Sequence, residues 1–559
     1  MRSRALDAAC SPPAAFGTVV RHRATRITSD LFCRASFAGR ISGSAFLSRW
    51  ARKSFLVLAL LFFVSCPLGA SGTPPPEAWV PIRWTGGPLE IAWRTQAKTL
   101  PADPTVRDAL ARWYEPSTLA LLDDSSANCL LVTWGASADA AIQAKQQRLV
   151  QRYAEAAHKR GLVVLGIVYA AGDASAIAAD ASRAALDGLV LEGQFAPGFS
   201  AALRKQAGSI LVIEIAKDAP ASRWNSAPIV AVEGVAPSAH NLSEMGIRGA
   251  PSSEPWIESN IWLVHSLTVT PPPHPLWISS QLEHASAVDY ARAVADAAAA
   301  GGHWIISLDD GLRAGLRAGD ASALATWHRL SRYLKFAERR SQEHTLGPYG
   351  NVGIVLDPPA ANQDVTDEYL KLAARRQVPY RVIARSEMNA AALASFRALV
   401  AIAVDPPSAR ERKLLQDFAE NGGLVIAGAG WGGAPKTERF SEVQTGKGRV
   451  AIYTDPDPET VARDLKELLS DDELGMVPFN VPSVITFARG GGPEPLVVEL
   501  VNYFDHPVEA ITLRVAGKFR SARMETPEEP ALDLPLREAE GRTEVTIPTL
   551  LVWSVVSIQ

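Results

Sequence analysis

A chain of 559 residues is too long for one ordinary hydrophobic core and implies two to four domains. With 47% hydrophobic and 21% charged residues it is not a disordered polyelectrolyte. A net charge of -3, with no basic stripe, argues against a nucleic-acid partner.

The N-terminus reads as a targeting segment. Arg49, Arg52 and Lys53 precede the apolar run SFLVLALLFFVSC at 54–66, which is short for a membrane span. The small residues PLGASG and the linker TPPPE follow, so residues 1–73 form a leader with cleavage expected near Ala70. The triplet VSC also resembles a bacterial lipobox, although Phe63 departs from its usual Leu. Lipidation of Cys66 is therefore a second route to the envelope. Residues 1–48 are an extended leader or an over-long start and do not enter the fold. Of the cysteines Cys10, Cys33, Cys66 and Cys129, only Cys129 lies clearly in the mature chain. That leaves no intramolecular disulfide framework and no cysteine metal site.

From about 100 to 345, apolar runs alternate with helical patterns. The runs are CLLVTWG (129–135), LVVLGIVY (162–169), DGLVLEG (187–193), SILVIEIA (209–216), PIVAVEG (228–234), NIWLVHS (260–266), PLWISSQ (275–281) and HWIISLDD (303–310). They are apolar on both faces, as parallel strands covered by helices must be. Helical patterns occupy 139–159, 174–185, 199–207, 287–300 and 322–343. Eight strands with interleaved helices predict a (β/α)8-type TIM barrel over 74–345. Its later side should be irregular, because only eight residues, rich in Pro and His, separate NIWLVHS from PLWISSQ. Residues 235–259 also lack helical periodicity.

The rhythm restarts at NVGIVLD (351–357). PYRVIAR, ALVAIAV, GGLVIAGAG and GKGRVAIYT alternate with helices, predicting a flavodoxin-like α/β domain over 346–478. From about 480 the period becomes two, in PLVVELVNYF, EAITLRVAG, RTEVTIP and LLVWSVVSIQ. This predicts an antiparallel β-sandwich over 479–559.

This order of domains resembles the β-galactosidases that carry a trimerisation domain after their barrel. The likeness is strongest over 379–432, with FAENGGLVIAG, and in the later GKGRVAIY; by motif it covers about 350–455. It implies a glycoside-hydrolase-like protein and a homo-oligomer formed through the flavodoxin-like domain. Those relatives carry their acid in an Asn-Glu pair after the fourth barrel strand. No such pair occurs in this barrel region, so the resemblance names no catalytic residue.

Gly428, Gly430 and Gly433 nearly spell a dinucleotide fingerprint, but Pro435 and a charged loop follow where a helix should open. A strand-exit turn fits them better, and no cofactor is expected. No H-E-x-x-H or H-x-H spacing suggests a metal, and no G-x-S-x-G elbow suggests a serine nucleophile.

Chemistry in a barrel sits where the strands end. The carboxylates there are Glu192, Glu214, Glu233, Asp309 and Asp310. Glycosidic cleavage needs two carboxyls, one protonated and one ionised. Glu192 and Glu233 are each followed by glycine, and Asp309 shares a strand face with Ser307, so these three are the catalytic candidates. Glu214 is set aside because its strand continues. Trp134 and Trp277 offer indole faces for sugar C–H groups, and Gln194, Asn260, Gln281 and Asp310 offer hydrogen bonds to hydroxyls. Trp224, Trp262 and His265 lie near strand ends as well. Each also has a structural reading, as packing, a helix cap or an ion pair. The expectation is an exported carbohydrate-active protein, a glycoside hydrolase with Glu192, Glu233 and Asp309 facing one cleft. The alternative is a catalytically silent barrel that binds glycans or scaffolds the envelope.

Overall fold

The computed structural model describes residues 74–135, 139–169, 172–217, 228–240, 256–267, 275–357 and 363–559. The leader, Ala70, Cys66 and Trp224 lie outside the described residues.

The first sheet is a parallel ring. It contains β1 (Pro81–Arg83), β2 (Cys129–Gly135), β3 (Val163–Val168), β4 (Gly188–Leu191), β5 (Leu211–Ala216) and β6 (Val230–Glu233). A two-stranded excursion, β7 (Ser238–His240) with β8 (Trp256–Glu258), precedes β9 (Leu276–Ser279). The last stave is split at Ile305 into β10 (His303–Trp304) and β11 (Ile306–Ser307). Its first half pairs with β9 and its second with β1, where Ile82 faces Ile306. Between the halves, the Ile305 amide still donates to the Ile278 carbonyl at 2.8 Å. The ring thus passes through every stave in turn and returns to β1.

Two expectations need correction. The run NIWLVHS is not a strand but the helix Ile261–Leu267. Its buried Ile261, Val264 and Leu267 recur at a spacing of three, a helical stripe hidden inside a short apolar run. The stave that takes its place in the ring is β1, only three residues long and N-terminal to every run recognised above.

Side chains alternate across each stave. Cys129, Leu131, Val163, Leu165, Ile167, Val190, Ile213, Trp277 and Ile305 fill the barrel interior. Ile82, Leu130, Val132, Leu189, Leu191, Ile278 and Ile306 belong to the packing layer under the helices.

The second sheet holds β12 (Val352–Leu356), β13 (Tyr380–Ala384), β14 (Ala398–Val400), β15 (Leu424–Ala427), β16 (Phe440–Thr445) and β17 (Gly448–Tyr453). Its order is β13-β12-β14-β15-β17-β16, parallel except for β16. Without that edge strand the order is 2-1-3-4-5, the flavodoxin arrangement. Two antiparallel sheets follow. One is β18 (Met476–Phe479), β21 (Val508–Ala516), β25 (Arg542–Leu550) and β24 (Leu536–Ala539). The other is β19 (Val484–Gly490), β20 (Leu496–Asn502), β26 (Trp553–Ile558), β22 (Ala522–Glu525) and β23 (Leu532–Leu534). A separate core lies between them, built on Leu496, Val498, Ile511, Leu513, Val545, Ile547 and Val556.

A buried polar knot ties the barrel to the last sheets. Asp296, on the helix Ala287–Ala300, is fully buried. It accepts from Ser259 Oγ at 2.6 Å, Tyr503 Oη at 2.6 Å and Asn260 Nδ2 at 2.8 Å. Burial pushes its carboxyl up from the usual range, against these donors. One helical turn away, Arg292 donates to Asp505 at 2.6 Å. Tyr503→Phe removes one donor while keeping the ring in place. It should lower the unfolding free energy by about 1–2 kcal/mol in urea titration.

Candidate active site

A half-open cavity of about 640 Å³ lies at the C-terminal ends of the staves. Strand parity explains its floor. Arg83 of β1, Glu192 after β4, Ser279 of β9 and Ser307 of β11 occupy inward positions at the tops of their staves. Arg83 is 6% exposed and donates to Glu192 Oε2 at 2.5 Å and to Ser279 Oγ at 2.8 Å. One guanidinium therefore spans the mouth between three staves.

One wall is the helix Gly87–Ala97, which follows β1. Glu90, Trp93, Arg94 and Ala97 line the cavity at spacings of three, one and three, as one helix face requires. Arg94 donates to Glu90 Oε1 at 2.7 Å and to Asp310 Oδ2 at 2.7 Å. Burial works against the Arg94 charge, but the two carboxylates outweigh it and hold its pKa above the ordinary value. Trp93 is 44% exposed and packs on Tyr169, with ring centroids 4.0 Å apart and the planes tilted by 43°. A large indole left open inside a cavity is the kind of surface on which a sugar face can lie.

The opposite wall follows β11 and β9. Asp309 caps the helix Asp310–Ala318, accepting the Leu312 amide at 2.8 Å, and its other oxygen accepts from Tyr290 Oη at 3.0 Å. Asp310 pairs with Arg94 and Arg313. Tandem carboxylates at this strand end thus divide their work: one starts a helix and the other braces it to the β1 side of the mouth. After β9, Gln281 and Glu283 line the rim, and the chain turns at His284 in the left-handed region, with φ 51°. Glu283 is exposed and has no hydrogen bond or ion pair to any described residue.

Of the residues singled out from the sequence, Glu192, Asp309, Asp310 and Gln281 line this cavity. Glu233, Gln194, Trp134, Trp277 and Asn260 do not. Glu233 ends β6 facing solvent, with Lys217 Nζ at 3.9 Å. Gln194 is exposed in the loop after β4. Trp134 turns outward into the layer under the helices, and Trp277 is sealed in the barrel interior. The Asn260 side chain is consumed by Asp296 and by the Val235 backbone. Arg83, Glu90, Trp93, Arg94, Tyr169, Glu283 and Arg313 complete the wall and were not foreseen. The signal for the first was present: VPIRWTGG has an apolar run, a charge and a glycine pair, as at other stave ends. Among the described residues, no three of His, Cys, Asp and Glu converge as metal ligands.

No protein-family model matches the sequence, and no curated protein does. Among solved structures, the α-L-fucosidase isoenzyme 2 from Paenibacillus thiaminolyticus matches with a TM-score of 0.53 and 10% identity, over 80% of this chain and 96% of that one. The two share a fold. An exo-β-1,4-mannosidase, Op5Man5 from Opitutaceae bacterium strain TAV5, matches with a TM-score of 0.40 and 10% identity, over 72% of this chain and 97% of that one. A β-galactosidase from Bacillus circulans sp. alkalophilus matches with a TM-score of 0.33 and 8% identity, over 75% and 68%. In this chain the architecture is a parallel barrel followed by a flavodoxin-like sheet and antiparallel sheets.

Proposed function

We propose that the protein is an exported glycoside hydrolase whose carboxyl pair is Glu192 and Glu283. The observation that carries this is their joint presence in one half-open cavity at the barrel mouth, in opposite circumstances. Glu192 is ion-paired to a buried guanidinium that cannot lose its charge, which suits the ionised partner, the nucleophile or base. Glu283 stands exposed at the rim, ion-paired to no described residue, where a leaving oxygen can reach it, as the acid's place requires. Asp310 is already engaged by Arg94 and Arg313 and is given neither role. Trp93 supplies a stacking face beside the pair.

The same pairings favour a second reading. Glu192, Asp309 and Asp310 each already have a structural partner, as in a barrel that binds glycans without cleaving them. A panel of aryl glycosides and natural glycans separates the two. For the hydrolase, Glu192→Gln should abolish turnover of every substrate. Glu283→Gln should slow natural glycans by about 10²–10⁴-fold and spare aryl glycosides with good leaving groups, which need little protonation. Binding without turnover across the panel selects the silent barrel. Export through 49–66, with cleavage or with lipidation of Cys66, and self-association through the flavodoxin-like sheet complete the proposal. They are supported by leader composition and domain order. The mass of the mature N-terminus and sedimentation of the purified protein test them.

A further inference from the structure

The electrostatics of the cavity bear on which sugars it admits. Its wall carries five carboxyl groups against three guanidiniums. Every guanidinium is ion-paired within the wall: Arg83 to Glu192, Arg94 to Glu90 and Asp310, and Arg313 to Asp310. Arg83 and Arg313 are also 6% and 4% exposed, and their Nε atoms are closed to solvent. Among the described residues of the wall, no guanidinium is therefore left over to receive a carboxylate or a sulfate brought in by a ligand. Two carboxyls, Glu283 and Asp309, have no cationic partner among the described residues. With Glu283 protonated or not, the described carboxylates of the wall outnumber its guanidiniums, so an incoming anion would meet net negative charge in a partly enclosed space, where screening is weaker than in bulk water. An incoming ammonium would meet Glu283, whose carboxyl no described residue engages, and the remaining lone pairs of Asp309.

We infer that the cavity ranks saccharides by charge, taking ammonium-bearing sugars most tightly, neutral sugars next, and uronates or sulfated sugars least. This rests on the proposed glycan site and narrows its substrate class to neutral and amino sugars. Each step in charge is worth about tenfold in affinity at low salt, the size expected of one poorly screened interaction a few ångströms away. The preference should shrink as salt is added.

The test is direct binding, so that it does not depend on turnover. Methyl glycosides of the gluco, galacto and manno series, each with hydroxyl, amine or carboxylate at C6, are titrated into the full mature chain. Calorimetry reports binding at pH 8, where an alkyl amine is charged and histidine is ordinarily neutral. The expected order is amine, then hydroxyl, then carboxylate, compressed at high salt. The double variant Glu283→Gln, Asp309→Asn should flatten the order, while asparagine still caps its helix. Uronates that bind as tightly as the neutral sugars, or an order unmoved in the double variant, overturn this inference and leave the glycan reading intact. No binding by any sugar in the set overturns the glycan reading, and this inference with it.

Discussion

Arg83→Met should cost the protein about 1–3 kcal/mol and silence the barrel mouth, because it strands a partly buried carboxylate that is now paired to a buried guanidinium. Methionine fills much of the volume but offers no donor. Glu192 would lose its 2.5 Å partner, Ser279 its 2.8 Å one, and the link between β1, β4 and β9 would go with them. The cost is mostly the penalty of an unpaired charge, not the worth of the pair. A double-mutant cycle shows this: Arg83→Met in a Glu192→Gln background should cost markedly less than in the parent. Chemical denaturation measures the stability, and glycan binding measures the site. If Arg83→Met costs under about 1 kcal/mol, the guanidinium does not organise the mouth.

A second large effect is expected from acid. His265 donates or accepts at Tyr380 Oη, 2.8 Å away, and burial with the nearby Arg489 charge pushes its pKa down to about 3. His344 is likewise pushed down to about 3, by burial and then by Arg489, His303 and Arg340. Each is neutral when folded and takes a proton near 6.5 when unfolded. Their stabilisation is thus whole above pH 6.5 and drains away toward pH 3, at about 1.4 kcal/mol per pH unit for each. Glu499 runs the other way. Burial pushes it up to about 7, so its contribution is whole below its ordinary 4.5 and is lost as pH rises through 7. Between pH 7 and pH 5, His344→Gln should therefore remove about 2 kcal/mol of acid sensitivity. Glu499→Gln should add a similar amount over the same interval. Parallel pH profiles for parent and His344→Gln would show that this histidine does not titrate between the two states.

The barrel was legible because its staves are apolar on both faces, which few other structures require. What stayed hidden follows from length and distance. β1 is three residues, too short for a periodicity to appear, and it lies where the chain still looks like a linker. NIWLVHS is apolar enough to suit a strand or a helix, and seven residues cannot separate the two. Parity along a stave correctly turns Glu192 inward, yet it also turns Trp277 inward, two levels too low to reach the mouth. How the cavity's charges pair could not be read. Arg83 and Glu192 are brought together only by ring closure, and Glu283 lies in a loop that no strand-end rule reaches. Glycine after a strand was a fair marker of a turn but did not distinguish Glu192 from Glu233, because what differs between them is the far side of the ring.

The pairing of Ile82 with Ile306 has a consequence for the nascent chain. β1 leaves the ribosome first among the staves and can pair with β2 early, but its other edge must wait until nearly the whole barrel has been synthesised. During that interval a hydrogen-bonding strand edge, with Arg83 upon it and Glu192 not yet opposite, stands open to other chains. Late closure of this kind is slow, since its contact is among the most distant in the sequence. An exported chain would be kept unfolded until translocation is complete, and then would meet all its staves at once. Synthesis of residues 74–559 alone in the cytoplasm exposes that edge at translation speed, and inclusion bodies are the expected product.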